Sequence, residues 1–250
     1  MPAPVIDGEL IPESIDTMMK SRPRIPIMIG IADLEWHHLE ADWRRHIENI
    51  QAPPLQFFLS YISPMLRQRH YIDKIINNYF GNITGKQSNL ASDVVVNATA
   101  TMRSDIDYVV PCAKEIEAYS KKQLPVYAYI FSHVGEQIGR KAGPTSEFRT
   151  EPLHKAFHGL DHAYIFSLGQ TNEYRVLKDN SYWNVSSFLT TAVTNFAKTG
   201  NPNSDGFSSV KWPPYTQDCP AYMNIDSKQE AKFCGFRTQT AKFWNEDIKN

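Results

Sequence analysis

Two short apolar runs stand out along an otherwise mixed chain. Ile25-Pro26-Ile27-Met28-Ile29-Gly30-Ile31 lies between Pro23 and the acidic pair Asp33 and Glu35. Leu124 to Ser132 is the second, rich in aromatic and β-branched residues, with Pro125 at its entry. A run this short and this continuous predicts a strand buried on both faces. Between and after these runs the apolar residues change period. Ile72, Ile75, Ile76 and Tyr79 recur at helical spacing in the stretch Tyr71 to Phe80. A second helix is predicted from about Asp105 to Lys121, with Ile106, Val109, Val110, Ala113, Ile116 and Tyr119 on one face. A third runs from Trp183 to Lys198, closed by Gly200 and Pro202. Ala221 to Ile225 reads as a late short strand, followed by a C-terminal helix ending near Trp244. The stretches Gly135 to Thr150 and Asn201 to Cys219 read as surface loops. Buried strands separated by helical crossovers argue for an α/β fold.

Composition narrows the function class without naming it. The 250 residues are 42% hydrophobic and 21% charged, with formal net charge −1. That apolar share supports a packed core, and the balance of charge removes the main signature of a nucleic-acid binder. No window approaches 18 uninterrupted apolar residues, so no membrane span is expected. The chain opens on Met1-Pro2-Ala3-Pro4, without the charged and apolar regions of a signal peptide. Three cysteines, Cys112, Cys219 and Cys234, are too few for a disulfide scaffold, and spacing does not choose a pair among them. Asn82, Asn97 and Asn184 each begin an N-x-S/T triplet, a weak pointer toward the secretory pathway.

Candidate chemistry gathers at the end of the first strand, where open α/β sheets collect their sites. Asp33 and Glu35 would share a side if the chain stayed extended there; locally, a solvated strand end or a helix cap is the favoured reading. His37 and His38 follow at once, on opposite sides of an extended chain, so at most one faces such a site. His154, His158 and His162 recur every fourth residue, which invites a metal stripe. Pro152 and Gly159 argue against a continuous helix there, no H-E-x-x-H occurs, and no metal or other cofactor is expected. No serine stands in a G-x-S-x-G turn, and Cys112 lies in an apolar helical face where an inert thiol is expected. An acid and a base are present; a nucleophile is not.

Four stretches in order carry a family resemblance. They are Pro4 to Pro12, Ile29-Gly30-Ile31-Ala32-Asp33-Leu34-Glu35, Phe157-His158-Gly159-Leu160-Asp161-His162 through Phe166, and Phe196-Ala197-Lys198-Thr199-Gly200-Asn201-Pro202-Asn203 with Trp212-Pro213-Pro214-Tyr215. Together they resemble the C-terminal portion of the type-B carboxylesterases, the cholinesterase-like branch of the α/β-hydrolase fold. The resemblance implies that residues 1–250 form the later part of one such domain, with an incomplete, mostly parallel sheet flanked by helices. It implies Glu35 as triad acid, His158 as triad histidine and Asp161 as structural, acting on small carboxylic esters. It also implies that the serine, its G-x-S-x-G turn and the oxyanion loop lie outside these residues. The chain alone is then expected to be inactive, and either to meet its missing half or to self-associate through an exposed sheet edge. The family is usually exported and also includes adhesion proteins, so a non-catalytic interaction protein is the alternative. Trp36 stands where these enzymes often carry glycine, with consequences for the turn after the acid.

Overall fold

The computed structural model describes residues 5–50, 53–62, 70–81, 90–135, 137–141, 148–149, 153–166, 174–203, 209–233 and 235–248. A short helix, α1 (Ile15–Lys20), precedes the first strand, β1 (Ile27–Ala32). Four helices follow: α2 (Glu40–Ile50), α3 (Pro54–Ile62), α4 (His70–Phe80) and α5 (Ser92–Ser104). After α6 (Val110–Lys121) the chain re-enters the sheet as β2 (Val126–Phe131). The remainder runs through β3 (Gln137–Lys141), β4 (Phe148–Arg149), α7 (Leu160–Ile165), β5 (Tyr174–Val176), α8 (Asn180–Thr199), β6 (Tyr222–Ile225), β7 (Gln229–Lys232) and α9 (Thr238–Lys242).

The main sheet has the order β1-β2-β6-β7. β1 and β2 pair in parallel from Ile27↔Val126 to Ala32↔Phe131, and β2 pairs in parallel with β6 from Tyr129↔Met223 to Phe131↔Ile225. β7 returns antiparallel as a hairpin from β6. The sheet is therefore α/β and mostly parallel, open rather than closed, with β1 at one edge among the described residues.

Alternation along β2 shows why its sequence is apolar throughout. Tyr127 and Phe131 join a cluster with Phe157, Leu160, Tyr164, Tyr182, Val185, Leu189 and Trp212 on the α7–α8 side. Val126, Ala128 and Ile130 join the opposite cluster with Cys112, Ile116, Tyr119 and Phe236 on the α6 side. Period-two side chains thus bury into both helical layers. A third cluster, built from Trp43, Ile47, Phe57, Phe58, Ile62, Ile75, Val95, Val96 and Met102, holds α2 to α5 together beside the sheet.

Several sequence expectations need correction. The helix expected to begin at Asp105 is the second half of a longer helical run. α5 continues through a π-helical turn, Asp105–Val109, into α6, where Pro111 stands at the entry. Pro111 has no N–H to donate back along an α-helix, and the wider turn accommodates that missing bond. The stretch Gly135 to Thr150 is not simply a loop: β3 and β4 within it pair antiparallel with each other, and β3 pairs with β5. Nor is Asn201 to Cys219 wholly a surface excursion. Trp212 is buried, stacks on Phe188, and donates its indole N–H to the Ala128 carbonyl in β2 at 3.0 Å. Past α9 the C-terminal helix runs on through a π turn to Asp247, a little beyond its expected end.

Candidate active site

β1 ends at Ala32, and the chain turns at once instead of remaining extended. Three backbone hydrogen bonds fix that turn: Asp33 N–H donates to Phe131 O, Leu34 N–H to Ala156 O, and His158 N–H to Glu35 O, at 2.9, 2.9 and 3.0 Å. The last two lay the His154–His158 segment directly against the turn. The turn also separates the two carboxylates that an extended chain would have placed together. Asp33 instead accepts from Arg237 Nη2 at 2.9 Å, with Lys155 Nζ 3.4 Å away.

Glu35 turns inward and is only 4% exposed. Its Oε1 accepts the Ala32 N–H at 2.7 Å, and its Oε2 lies 2.9 Å from His158 Nδ1. The His158 side chain is 56% exposed, so a buried carboxylate holds a surface imidazole by one nitrogen. A carboxylate can only accept here, which places a proton on Nδ1 and makes Nε2 the basic nitrogen. The Tyr108 ring packs against the imidazole with centroids 4.7 Å apart, a contact the sequence reading did not foresee. Burial first, then the Glu35 and Asp107 carboxylates, push the Tyr108 phenol above its ordinary range. It remains a neutral partner to the histidine.

Gly159 follows His158 with φ +77° and opens α7, a left-handed conformation that glycine adopts without penalty. This bend separates His158 from the helix that carries His162, so the three histidines do not form one stripe. His154 contributes its backbone N–H to His37 Nε2 at 3.0 Å, and the His162 ring packs against Phe166. Among the described residues no group of His, Cys, Asp and Glu could hold a metal ion. His37 is buried, and His38 Nδ1 lies 3.0 Å from the Glu35 carbonyl. Both histidines thereby support the turn. Asp161 accepts from the Tyr129 hydroxyl at 3.1 Å. Trp36 packs back on the α5–α6 junction: its backbone N–H donates to Ser104 Oγ and its indole N–H to Asp107 Oδ2, both at 3.0 Å.

The profile of the Carboxylesterase family matches residues 1–244. The chain belongs to the carboxylesterase family. It therefore has the α/β-hydrolase fold, seen here as a four-stranded mixed sheet with flanking helices. Gut esterase 1 of Caenorhabditis briggsae is 26% identical over 97% of this chain and 44% of its own length. Pyrethroid hydrolase Ces2a of Mus musculus is 27% identical over 98% of this chain and 41% of its own. Human neuroligin-2 is 22% identical over 97% of the chain and 30% of its own. The chain thus spans less than half the length of these relatives.

The cysteines and the N-x-S/T asparagines of this carboxylesterase chain are distributed as follows. Cys112 is buried, and burial, with Glu35 and Glu115 nearby, pushes its thiol up to about 12, as befits an inert thiol. Cys112 and Cys219 are both free, and Cys234 lies outside the described residues. Asn97 on α5 and Asn184 on α8 are exposed, and Asn82 lies outside the described residues. No helix among the described residues is long and apolar enough to cross a membrane.

Proposed function

We propose that Glu35 and His158 are the acid and histidine of a Ser-Glu-His carboxylic-ester hydrolase, and that residues 1–250 are the C-terminal portion of its type-B carboxylesterase domain. In this reading the serine and the oxyanion loop come from chain outside these residues. His158 Nε2 takes the serine proton as the hydroxyl attacks the ester carbonyl, then returns it to the departing alkoxide. Glu35 holds the Nδ1–H tautomer and stabilises the imidazolium that forms in between. Tyr108 limits the tilt of the ring. Small carboxylic esters are the substrates of the complete enzyme, no cofactor takes part, and the 250 residues alone turn over no ester. Export through the secretory pathway, with glycans on Asn82, Asn97 and Asn184, belongs to the same proposal.

The observation that carries this reading is the 2.9 Å contact between His158 Nδ1 and a Glu35 carboxylate that the fold buries. Burying a carboxylate costs several kcal/mol unless its oxygens are satisfied, and here Ala32 N–H and His158 satisfy one each. The alternative, a cholinesterase-like interaction protein without catalysis, is supported by the likeness to neuroligin-2 along 97% of the chain. Mapping the transcript's 5′ end separates the two. The hydrolase reading expects an in-frame G-x-S-x-G upstream of Met1. A message whose coding sequence begins at Met1 overturns it.

A further inference from the structure

The N-terminal arm and α1 lie against α6 and leave a groove between them. The arm is folded by its own hydrogen bonds. The Asp7 and Gly8 N–H groups donate to the Ile11 carbonyl, and Asp7 Oδ1 accepts from the Glu9 and Ile11 N–H groups, both at 2.9 Å. Ile6 and Ile11 from this turn form one wall of the groove, and Ile15 and Met19, one helical turn apart on α1, continue it. Ile106 of the π turn and Val110 at the start of α6 line the other side. The cavity between them measures about 670 Å³, within the range of about 300–1,000 Å³ usual for small-molecule sites. Two tethers hold its walls in place. Arg22 Nη1 and Nη2 each donate to one Glu115 carboxylate oxygen at 2.5 Å, and Lys122 Nζ donates to the Met19 and Lys20 carbonyls at 3.1 and 2.7 Å.

At one end the lining changes from apolar to basic. Met19 and Lys114 also line an adjoining cavity of about 420 Å³, where Lys20, Lys121 and Lys122 stand with a single carboxylate, Glu117. Glu117 is taken by Lys121 at 2.5 Å, and Lys122 is engaged by the end of α1. Among the described residues Lys20 and Lys114 form no ion pair. The carboxylate in the apolar groove, Glu115, is already neutralised by Arg22. A chain of formal net charge −1 thus gathers positive charge at one end of an apolar cavity. That layout complements a single amphiphile with an anionic head. A membrane surface would need the apolar side chains to project past the lysines, whereas here they line a concavity.

We propose that this groove binds the anion of a fatty acid, with its carboxylate between Lys20 and Lys114 and its alkyl tail along Ile6, Ile11, Ile15, Ile106 and Val110. Each methylene that leaves water for the groove adds to affinity, so binding rises with tail length. The two ammonium groups give the head its direction and select its sign. An amphiphile with the same tail and a cationic head meets like charge at the same place, and a carboxylate without a tail leaves the apolar walls uncovered. The site shares no residue with the Glu35–His158 pair and does not depend on the reading given to that pair.

Equilibrium dialysis of the 250-residue chain against radiolabelled laurate, kept below its micellar concentration, tests this. One laurate per chain is expected, and decanoate, two methylenes shorter, is expected to bind about fivefold more weakly. Dodecyltrimethylammonium and acetate are expected not to bind at the same concentrations. The double variant Lys20→Gln, Lys114→Gln is expected to lose about tenfold in laurate affinity, and Ile15→Asp about tenfold or more. Ile15 is 67% exposed, so its replacement spares the core. Circular dichroism shows whether each variant is folded, and Ile6→Asp, likewise at an exposed position, serves should Ile15→Asp unfold. Lys198→Gln, on α8, is expected to leave binding unchanged. A folded wild-type chain with no saturable laurate binding overturns the proposal. So does equal binding of the cationic amphiphile, binding that survives both the lysine and the isoleucine variants, or association with phosphatidylserine vesicles but not with laurate. An oligomer that sediments as a monomer in Ile15→Asp, with no laurate bound, would make the groove a contact between copies and equally overturn it.

Discussion

Asp105 shows how a single side chain can tie stability to pH. It is buried in the π turn between α5 and α6, accepts from the Tyr79 hydroxyl at 2.7 Å, and is raised to about 6, chiefly by burial. The Tyr79 hydrogen bond and Arg237 oppose that rise without cancelling it. An unfolded aspartate titrates near 3.9, so between about pH 4 and 6 the folded chain holds a proton that the unfolded chain has released. This contribution to stability is fully present below about pH 4 and is lost as pH rises through about 6. Its size is at most about 3 kcal/mol. Asp105→Asn keeps an acceptor for Tyr79 but cannot ionise. Urea midpoints for the two proteins across pH 4–7 are expected to show a falling contribution in the wild type that the variant lacks. Parallel profiles would contradict this assignment. Glu35, equally buried, has the Ala32 N–H and His158 on its two oxygens, whereas Asp105 relies mainly on a phenol.

At the scale of elements, β1 depends on a residue with no side chain. Gly30 lies opposite Tyr129 in β2, and a Cβ added there would run into the Tyr129 ring. That ring cannot simply swing away, because its hydroxyl donates to Asp161 and its edge packs on Trp212. Gly30→Ala is therefore expected to cost about 2–3 kcal/mol, read as a lowered urea midpoint; an unchanged midpoint would show that the ring has room to move. The sequence showed β1, β2, α4 and α8 within a few residues because each buries a regular apolar pattern. α2 buries only Trp43 and Ile47, too narrow a stripe to stand out among its charged residues. The Val- and Thr-rich α5 carries residues that favour strands, and its neighbours in the helical cluster override that preference. β3 and β5 were hidden because one is polar and the other is three residues long, and their pairing is long-range. Glu35 and His158 were legible through family motifs alone. The turn that brings them together and the Tyr108 contact both depend on non-local packing that no local pattern records.

At the scale of the molecule, the three parallel strands end in register, with Ala32 beside Phe131 and Phe131 beside Ile225. The turn just past the end of β1 carries Glu35 and receives His158, so the candidate site lies at the carboxyl end of the sheet. The same topology leaves β1 as an apolar edge strand among the described residues, a position that in a stable protein is paired or covered. The proposed function supplies that partner as the part of the domain bearing the serine. The most direct test is the hydrolysis of p-nitrophenyl butyrate by the 250-residue chain and by the longer polypeptide that the proposed function requires, one carrying a G-x-S-x-G upstream of Met1. The account predicts no sustained turnover from the chain alone. The longer polypeptide is predicted to be active and to lose about 10³-fold or more of that activity in His158→Ala. Sustained turnover by the chain alone that disappears in His158→Ala, or full activity of the longer polypeptide without His158, would contradict it.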